Sequence, residues 1–282
     1  MSHPSRPRAA TWLSFHIFLP GAFESFLVDH LAPALLDDLK AGTIKRFFFI
    51  RYSEGGNHIR LRLMACAHNG DFEPWLNKLV GNFAVATSSD HNSCRVEQHP
   101  YDRSELYFGE TALSVYAELL NEQTSYLGLR TLAQYQGRQR LIVVLASILN
   151  FLLVSSTDSL EDFRARLEDS RRFAANTTDD LGFSVQPDEK LEASLRNLLL
   201  QLLPQSSTLN QDQTIQRILR LLRRTRKCKP SGEFVATHAL HLLCNKLGVS
   251  IVEEYNLFST LYNIVADSFF LLKKGVDHGR MA

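Results

Sequence analysis

The sequence predicts an α+β protein, with an N-terminal split βαβ (ferredoxin-like) antiparallel sheet packed against a C-terminal helical subdomain. Three observations carry this expectation. Over the first hundred residues, two-residue alternation and helical periodicity follow one another in the order β-α-β-β-α-β. From about residue 110 onward, apolar stripes recur at helical spacing. Finally, 45% of the 282 residues are hydrophobic, enough for a sizeable core. The expected division is a sheet subdomain over 1–109 and a helical subdomain over 110–282, one compact unit with a cleft between.

WLSFHIFL (12–19) is the first strand: Leu13, Phe15, Ile17 and Leu19 alternate with Trp12, Ser14, His16 and Phe18. Pro20-Gly21 ends it. Residues 22–40 place Phe23, Phe26, Leu27, Leu31, Leu35 and Leu39 near helical spacing, with Pro33 a candidate kink and Gly42 the stop. KRFFFIRY (45–52) and HIRLRLMA (58–65) read as strands joined by the turn SEGGN, where Gly55-Gly56 serves the hairpin. DFEPWLNKLVGNF (71–83) is a helix behind an acidic cap, and SCRVEQH (93–99) a fourth strand. In the split βαβ arrangement the first and third strands are expected at the centre and parallel, the second and fourth at the edges, with both helices on one face. The apolar sides of the central strands must face those helices, because only that burial offsets chain entropy. Ser14, His16, His58, Arg60 and Arg62 should then share the opposite face. Further helices are expected over 111–123, 136–154, 159–175, 188–203, 211–226, 233–247 and 251–272, with polar connectors at 177–189 and 204–212.

A net charge of +1 gives no global attraction to nucleic acid or an anionic membrane, so electrostatic work must be local. Cys66, Cys94, Cys228 and Cys244 form no C-x-x-C pair; neither a zinc site nor a disulfide framework is indicated, and scattered thiols fit a reducing compartment. The polar start MSHPSRPRAA has no apolar signal core, and LIVVLASILNFLLV (141–154), interrupted by Ser147 and Asn150, reads as a buried helix rather than a span. The expectation is a cytoplasmic protein with no cofactor, no metal, no membrane contact and no direct nucleic-acid contact. His238-x-x-His241 lacks a third metal ligand. The basic run RILRLLRRTRKCK (217–229) reads as a solvated helix face, with a contact for tRNA, an acidic leader peptide or an acidic partner as the alternative. Two arginines on a covered strand need anions. Either acidic side chains of the helical half neutralise Arg60 and Arg62, or the pair holds a ligand carboxylate or phosphate, which the guanidinium fork suits. The residues alone leave both open.

RYSEGGNHIRLRL (51–63) resembles the R-Y-x-D-P-x-x-H-[LI]-R-L-R-[FL] signature of the thiopeptide-type bacteriocin biosynthesis domain, which is also the C-terminal elimination domain of class I lantibiotic dehydratases. YDRSELYFGE (101–110) is similar to the family's Y-x-P-E-x-x-R-Y-G-G segment, and HLLCNKLG (241–248) to its H-M-x-x-N-R-L-x-G helix. The resemblance covers nearly the whole chain. It implies modification of a ribosomally made precursor peptide. In dehydratases a separate domain glutamylates Ser or Thr from glutamyl-tRNA, and the elimination domain removes glutamate to leave a dehydroamino acid. Related standalone members join two dehydroalanines into the six-membered ring of thiopeptides.

The resemblance implies catalytic roles for Arg60 and Arg62 as a carboxylate clamp and for His241 as general acid or base; Tyr107, where the chain departs from the family, is a candidate catalytic proton donor by its phenol chemistry. The resemblance implies substrate binding by Arg51, His58, His16, Ser14, Tyr101, Arg103 and Asn245. The implied partners are the precursor peptide and a separate glutamylating dehydratase subunit, with a homodimer suggested by analogy. Tyr107 stands where the family carries an arginine associated with glutamate elimination, Lys246 where its helix carries an arginine, and Leu243 where many members have a second histidine. Three functions follow: a glutamate-eliminating lyase working as the split elimination subunit, a pyridine-ring-forming cyclase, or a non-catalytic peptide-binding subunit.

Overall fold

The computed structural model describes residues 11–21, 23–52, 56–65, 72–87, 94–102, 112–136, 139–140, 143–144, 147, 160–180, 193, 213–225 and 232–263. The chain divides into two compact units, Met1–Glu110 and Thr111–Ala282.

In the first unit, four strands, β1 (Thr11–Phe18), β2 (Ile44–Tyr52), β3 (His58–Ala65) and β4 (Arg95–His99), form one sheet in the order β2-β3-β1-β4. The first and third strands are central and the others are edges, as expected. The central pair runs antiparallel, from Thr11↔Ala65 to Phe18↔His58, which corrects the expected parallel pairing. The reason is topological. β3 pairs antiparallel with β2 and so reverses it, and β1 pairs with β3 rather than with β2.

Between β1 and β2 the chain forms a helical turn α1 (Phe23–Ser25), a π-helical stretch (Phe26–Leu31) and α2 (Ala32–Ala41). The π stretch lies directly before Pro33, whose ring displaces the carbonyl four residues back, inside that stretch. The helix stops at Gly42: the Gly42 amide donates to the Leu39 carbonyl and Thr43 to Asp38 at 2.9 Å, a Schellman ending. α3 (Phe72–Thr87) packs against the π stretch, with Phe26 and Phe83 edge to face at 5.4 Å. Phe15, Ile17, Ile59, Leu61, Leu63, Phe47 and Phe49 are fully buried on one side of the sheet. Each such side chain contributes about 2 kcal/mol relative to exposure, which fixes which side of every strand points inward.

The second unit is helical: α4 (Ala112–Gln134), α5 (Leu160–Asp180), α6 (Gln213–Thr225), α7 (Gly232–Lys246) and α8 (251–263). Two boundaries differ from expectation. α4 runs well past residue 123 because packing against α6 and α7 outweighs weak helix formers, with Asn121, Thr124 and Ser125 returning their side-chain donors to carbonyls of the preceding turn. α5 continues through 177–180, where a connector was expected. In α6, Ile215, Ile218, Leu219 and Leu222 are buried while Arg217, Arg220 and Arg224 are exposed, the arrangement of a solvated face. No described helix is long and apolar enough to cross a membrane. The rest of 141–154 and the connector 204–212 lie outside the described residues.

Candidate functional site

Register decides what the sheet presents on its second face. His16 stands opposite Arg60, Ser14 opposite Arg62, and Phe18 opposite His58. β2 adds Phe48 beside Arg62, Ile50 beside Arg60 and Tyr52 beside His58. β4 adds His99 beside Ser14 and Glu97 beside His16. Ser14, His16, His58, Arg60 and Arg62 therefore do share one face. Arg51 does not: it pairs with Ile59, on the helix-covered side, because strand side chains alternate.

Three imidazoles form a stack across β3, β1 and β4. His16 lies 4.8 Å from His58 and 4.0 Å from His99, ring centre to ring centre, with interplanar angles of 27° and 24°. The His58 bonding assigns its tautomer: Nδ1–H donates to the Gly56 carbonyl at 2.7 Å, and Nε2 accepts from Arg60 Nε at 3.2 Å. A second proton on His58 would face an arginine donor. Burial, followed by Arg60 and Arg62, keeps its pKa below the ordinary value against the opposing pull of the Gly56 carbonyl. His16 is pushed down to about 3, by burial first and then by His99, Arg62, Arg60 and His58. Both rings are neutral at pH 7, so cationic charge here is guanidinium charge.

The guanidinium groups are held by aromatic faces. Arg60 Cζ sits 3.4 Å from the centre of the Tyr52 ring. Arg62 is fully buried, donates Nη1 to the Leu61 carbonyl at 3.3 Å, and lies 5.9 Å from the Tyr101 ring centre. Such contacts contribute about 1 kcal/mol or more each when desolvated. Tyr101, Trp12 and Phe48 form a cluster at 5.2–6.3 Å, and Arg46 lies over Trp12 at 5.3 Å. Ser14 Oγ and Trp12 Nε1 are buried with no hydrogen-bond partner among the described residues. Arg103 and Tyr107 lie outside the described residues.

In the helical unit, His241 sits on α7 and donates or accepts through Nδ1 at 2.9 Å from Glu254 Oε2 on α8. The local chain dictates this meeting. α7 ends in a Schellman turn at Gly248 (φ 78°), with Val249 N–H donating to the Cys244 carbonyl at 3.0 Å; a residue bearing Cβ is strained at that φ. α8 then opens with a capping box: the Glu253 amide donates to Ser250 Oγ and the Ser250 amide to Glu253 Oε2. Phe173 meets the His241 ring edge to face at 5.0 Å. His238, on the same helix, is buried and held neutral by burial, then by His241 and Lys246. Asn245 is half-buried on α7. Lys246 is fully buried, donates Nζ to Asn121 Oδ1 at 3.0 Å, and burial pushes its pKa well below the usual lysine value. Among the described residues no three His, Cys, Asp or Glu side chains gather as metal ligands.

The motif reading missed Glu254, His99, Tyr52, Trp12 and Phe48. Cross-strand register brings the last four together. Glu254 had only a weak signal, the S-x-x-E box and the preceding glycine, which mark a tight helix–helix turn.

This is an α+β chain in which an antiparallel sheet carrying a strand-borne arginine pair precedes a run of helices. Residues 12–265 match the family described as lantibiotic biosynthesis dehydratase C-term, and the chain belongs to that family. Among solved structures it is similar to TsrL, with a TM-score of 0.67 at 16% identity over 94% of this chain and 98% of that one. It is similar to the tRNA-dependent lantibiotic dehydratase MibB from Microbispora sp. 107891, with a TM-score of 0.58 at 19% identity, covering 95% of this chain and 29% of that one. It also resembles TbtD, the pyridine synthase of thiomuracin biosynthesis, with a TM-score of 0.59 at 13% identity over 92% and 99% of the two chains. At these identities the likeness is one of fold. No curated protein matches.

Proposed function

We propose that this chain is the elimination component of a split lantibiotic-type dehydratase. On this reading it removes glutamate from glutamylated Ser or Thr of a ribosomally made precursor peptide, after a separate subunit has attached it. The observation that supports this most is the placement of Arg60 and Arg62 on one strand face beside neutral imidazoles. Their Cα atoms are about 7 Å apart by strand geometry, a spacing suited to the two carboxylates of a departing glutamate. Chemically, a base takes the Cα proton, the electron pair forms the Cα–Cβ double bond, and the Cβ–O bond breaks. Glutamate departs as a carboxylate that needs no protonation at neutral pH. His241 has the chemistry of that base, since imidazole is the commonest general base among side chains. His16, His58, Ser14 and Tyr101 line the arginine pair as binding groups.

The test is to incubate the protein with a glutamylated model peptide and follow loss of the glutamyl mass. Arg60→Ala, Arg62→Ala and His241→Ala should each slow that loss by about 100-fold or more. Unchanged glutamylated peptide with wild-type protein refutes the reading. One sequence observation favours a second reading: Tyr107 replaces the arginine the family associates with glutamate elimination, and a phenol is a plausible proton donor for carbonyl activation. In that case the chain closes a pyridine ring from two dehydroalanines, and a bis-dehydroalanine peptide is the substrate to supply. A protein inert toward both substrates but binding the peptide is the non-catalytic subunit.

A further inference from the structure

Glu254 is a buried carboxylate, 1% exposed, with Oε2 committed to His241 Nδ1 at 2.9 Å and Oε1 without a hydrogen bond among the described residues. Burying a carboxylate costs several kcal/mol unless a strong donor meets it, so a ring N–H aimed at Oε2 is what the site requires of His241. An ionised carboxylate only accepts hydrogen bonds, so with Glu254 ionised the proton of this contact sits on Nδ1. In a neutral imidazole that leaves the lone pair on Nε2. The His241 side chain is 20% exposed, and Nε2 makes no hydrogen bond among the described residues. Phe173 packs against the ring and limits its rotation.

A structural salt bridge between surface groups would look different. Glu254 is almost wholly buried, while its partner keeps partial access to solvent. The Schellman turn and the capping box hold the two helices so that this carboxylate, rather than its exposed neighbour Glu253, meets the ring.

We propose that Glu254 is a positioning residue, holding His241 in the Nδ1–H tautomer so that Nε2 is the atom that takes the substrate proton. The inference rests on the reading of His241 as the base and deepens it. In the step, Nε2 gains the Cα proton and the ring becomes an imidazolium. Glu254 keeps its charge and stabilises that cation; no proton passes to it.

The experiment has two readouts on the 282-residue chain. Long-range 1H–15N spectra of the imidazoles, with His241→Asn for assignment, report the tautomer without reference to activity. Wild-type His241 should be protonated at Nδ1. In Glu254→Gln the amide can turn and donate to Nδ1, so the ring should change to the Nε2–H form. Loss of glutamate from the glutamylated peptide gives the second readout: kcat should fall by about 100-fold or more while KM changes by less than about threefold. Glu254→Asp, which keeps the carboxylate, should restore the Nδ1–H tautomer and part of the rate. Protonation of wild-type His241 at Nε2 overturns the proposal outright, even if the variants fail to fold. Full kcat in a folded Glu254→Gln protein also overturns it. If the tautomer follows Glu254 but wild-type protein leaves the peptide untouched, the elimination reading fails and the positioning of the ring stands.

Discussion

Acidification should destabilise the sheet unit through His16. Its ring is held between His58 and His99, and its pKa falls from 6.5 to about 3 through burial first, then His99, Arg62, Arg60 and His58. The unfolded chain takes up this proton near 6.5 and the folded chain only near 3. Between those values the unfolded state holds more protons, so stability rises with pH across the window and is lost as pH falls through it. From pH 6.5 down to pH 4, at about 1.4 kcal/mol per pH unit, the ceiling is about 3.4 kcal/mol. The ring is partly exposed, and solvent screening reduces this to about 2 kcal/mol. His16→Phe keeps an aromatic ring in the stack and removes the titration. Urea unfolding at pH 7 and pH 4, followed by tryptophan fluorescence, reads the right unit, since Trp12 and Trp75 both lie in Met1–Glu110. Wild type should lose about 2 kcal/mol more than the variant between the two pH values. His58 titrates in both proteins and cancels. Parallel losses, within about 0.5 kcal/mol of one another, would refute the account of His16 as a ring kept neutral by its neighbours.

In the helical unit, Asn121→Ala removes the acceptor of the fully buried Lys246 ammonium or amine and should cost about 1–3 kcal/mol, measured by urea unfolding followed by circular dichroism. The double change Lys246→Met with Asn121→Leu replaces both partners by apolar groups and should be neutral or stabilising in the same assay. Wild-type stability should also rise with pH toward the ordinary lysine value, because the unfolded chain protonates Lys246 more readily than the folded one; Lys246→Met should abolish that slope. Gly128→Ala would set a Cβ 3.0 Å from Lys246 Cβ, so overpacking should outweigh the helix-propensity gain of about 1 kcal/mol and lower the Tm.

How much of this was legible in the sequence depends on the range of the interaction concerned. The shared face of Ser14, His16, His58, Arg60 and Arg62 follows from a period of two and the sign set by Phe15, Ile17, Leu61 and Leu63; no knowledge of pairing is needed. Arg51 belongs to the same motif, but the same alternation puts it on the other side of the sheet, opposite Ile59. The His99–His16–His58 stack and the Trp12–Phe48–Tyr101 cluster draw on strands distant in sequence. Only register brings them together, and register between non-adjacent strands is not written in local periodicity. The helix expected over 111–123 runs on to Gln134, through Thr124 and Gly128, where local propensity is poor. The close approach of α7, where Lys246 lies against Gly128, is the tertiary reason that a small residue is kept in mid-helix. Glu254 was invisible for a related reason: thirteen residues and a turn separate it from His241, and only the geometry of that turn makes the two neighbours.

The electrostatic logic of the sheet face limits what pH can do to it. With His16 and His58 neutral, its positive charge comes from groups that stay protonated at every accessible pH. A glutamyl carboxylate, whose pKa is near 4.3, is ionised throughout the neutral range. Neither partner of the proposed clamp changes charge between about pH 6 and 8, so carboxylate affinity on this face should be flat there. His16 and His58 gain protons only in the acid range, where a carboxylate ligand is losing its own charge and the fold is giving up stability. Any pH dependence of turnover near neutrality must then arise from a proton-transfer group rather than from the clamp.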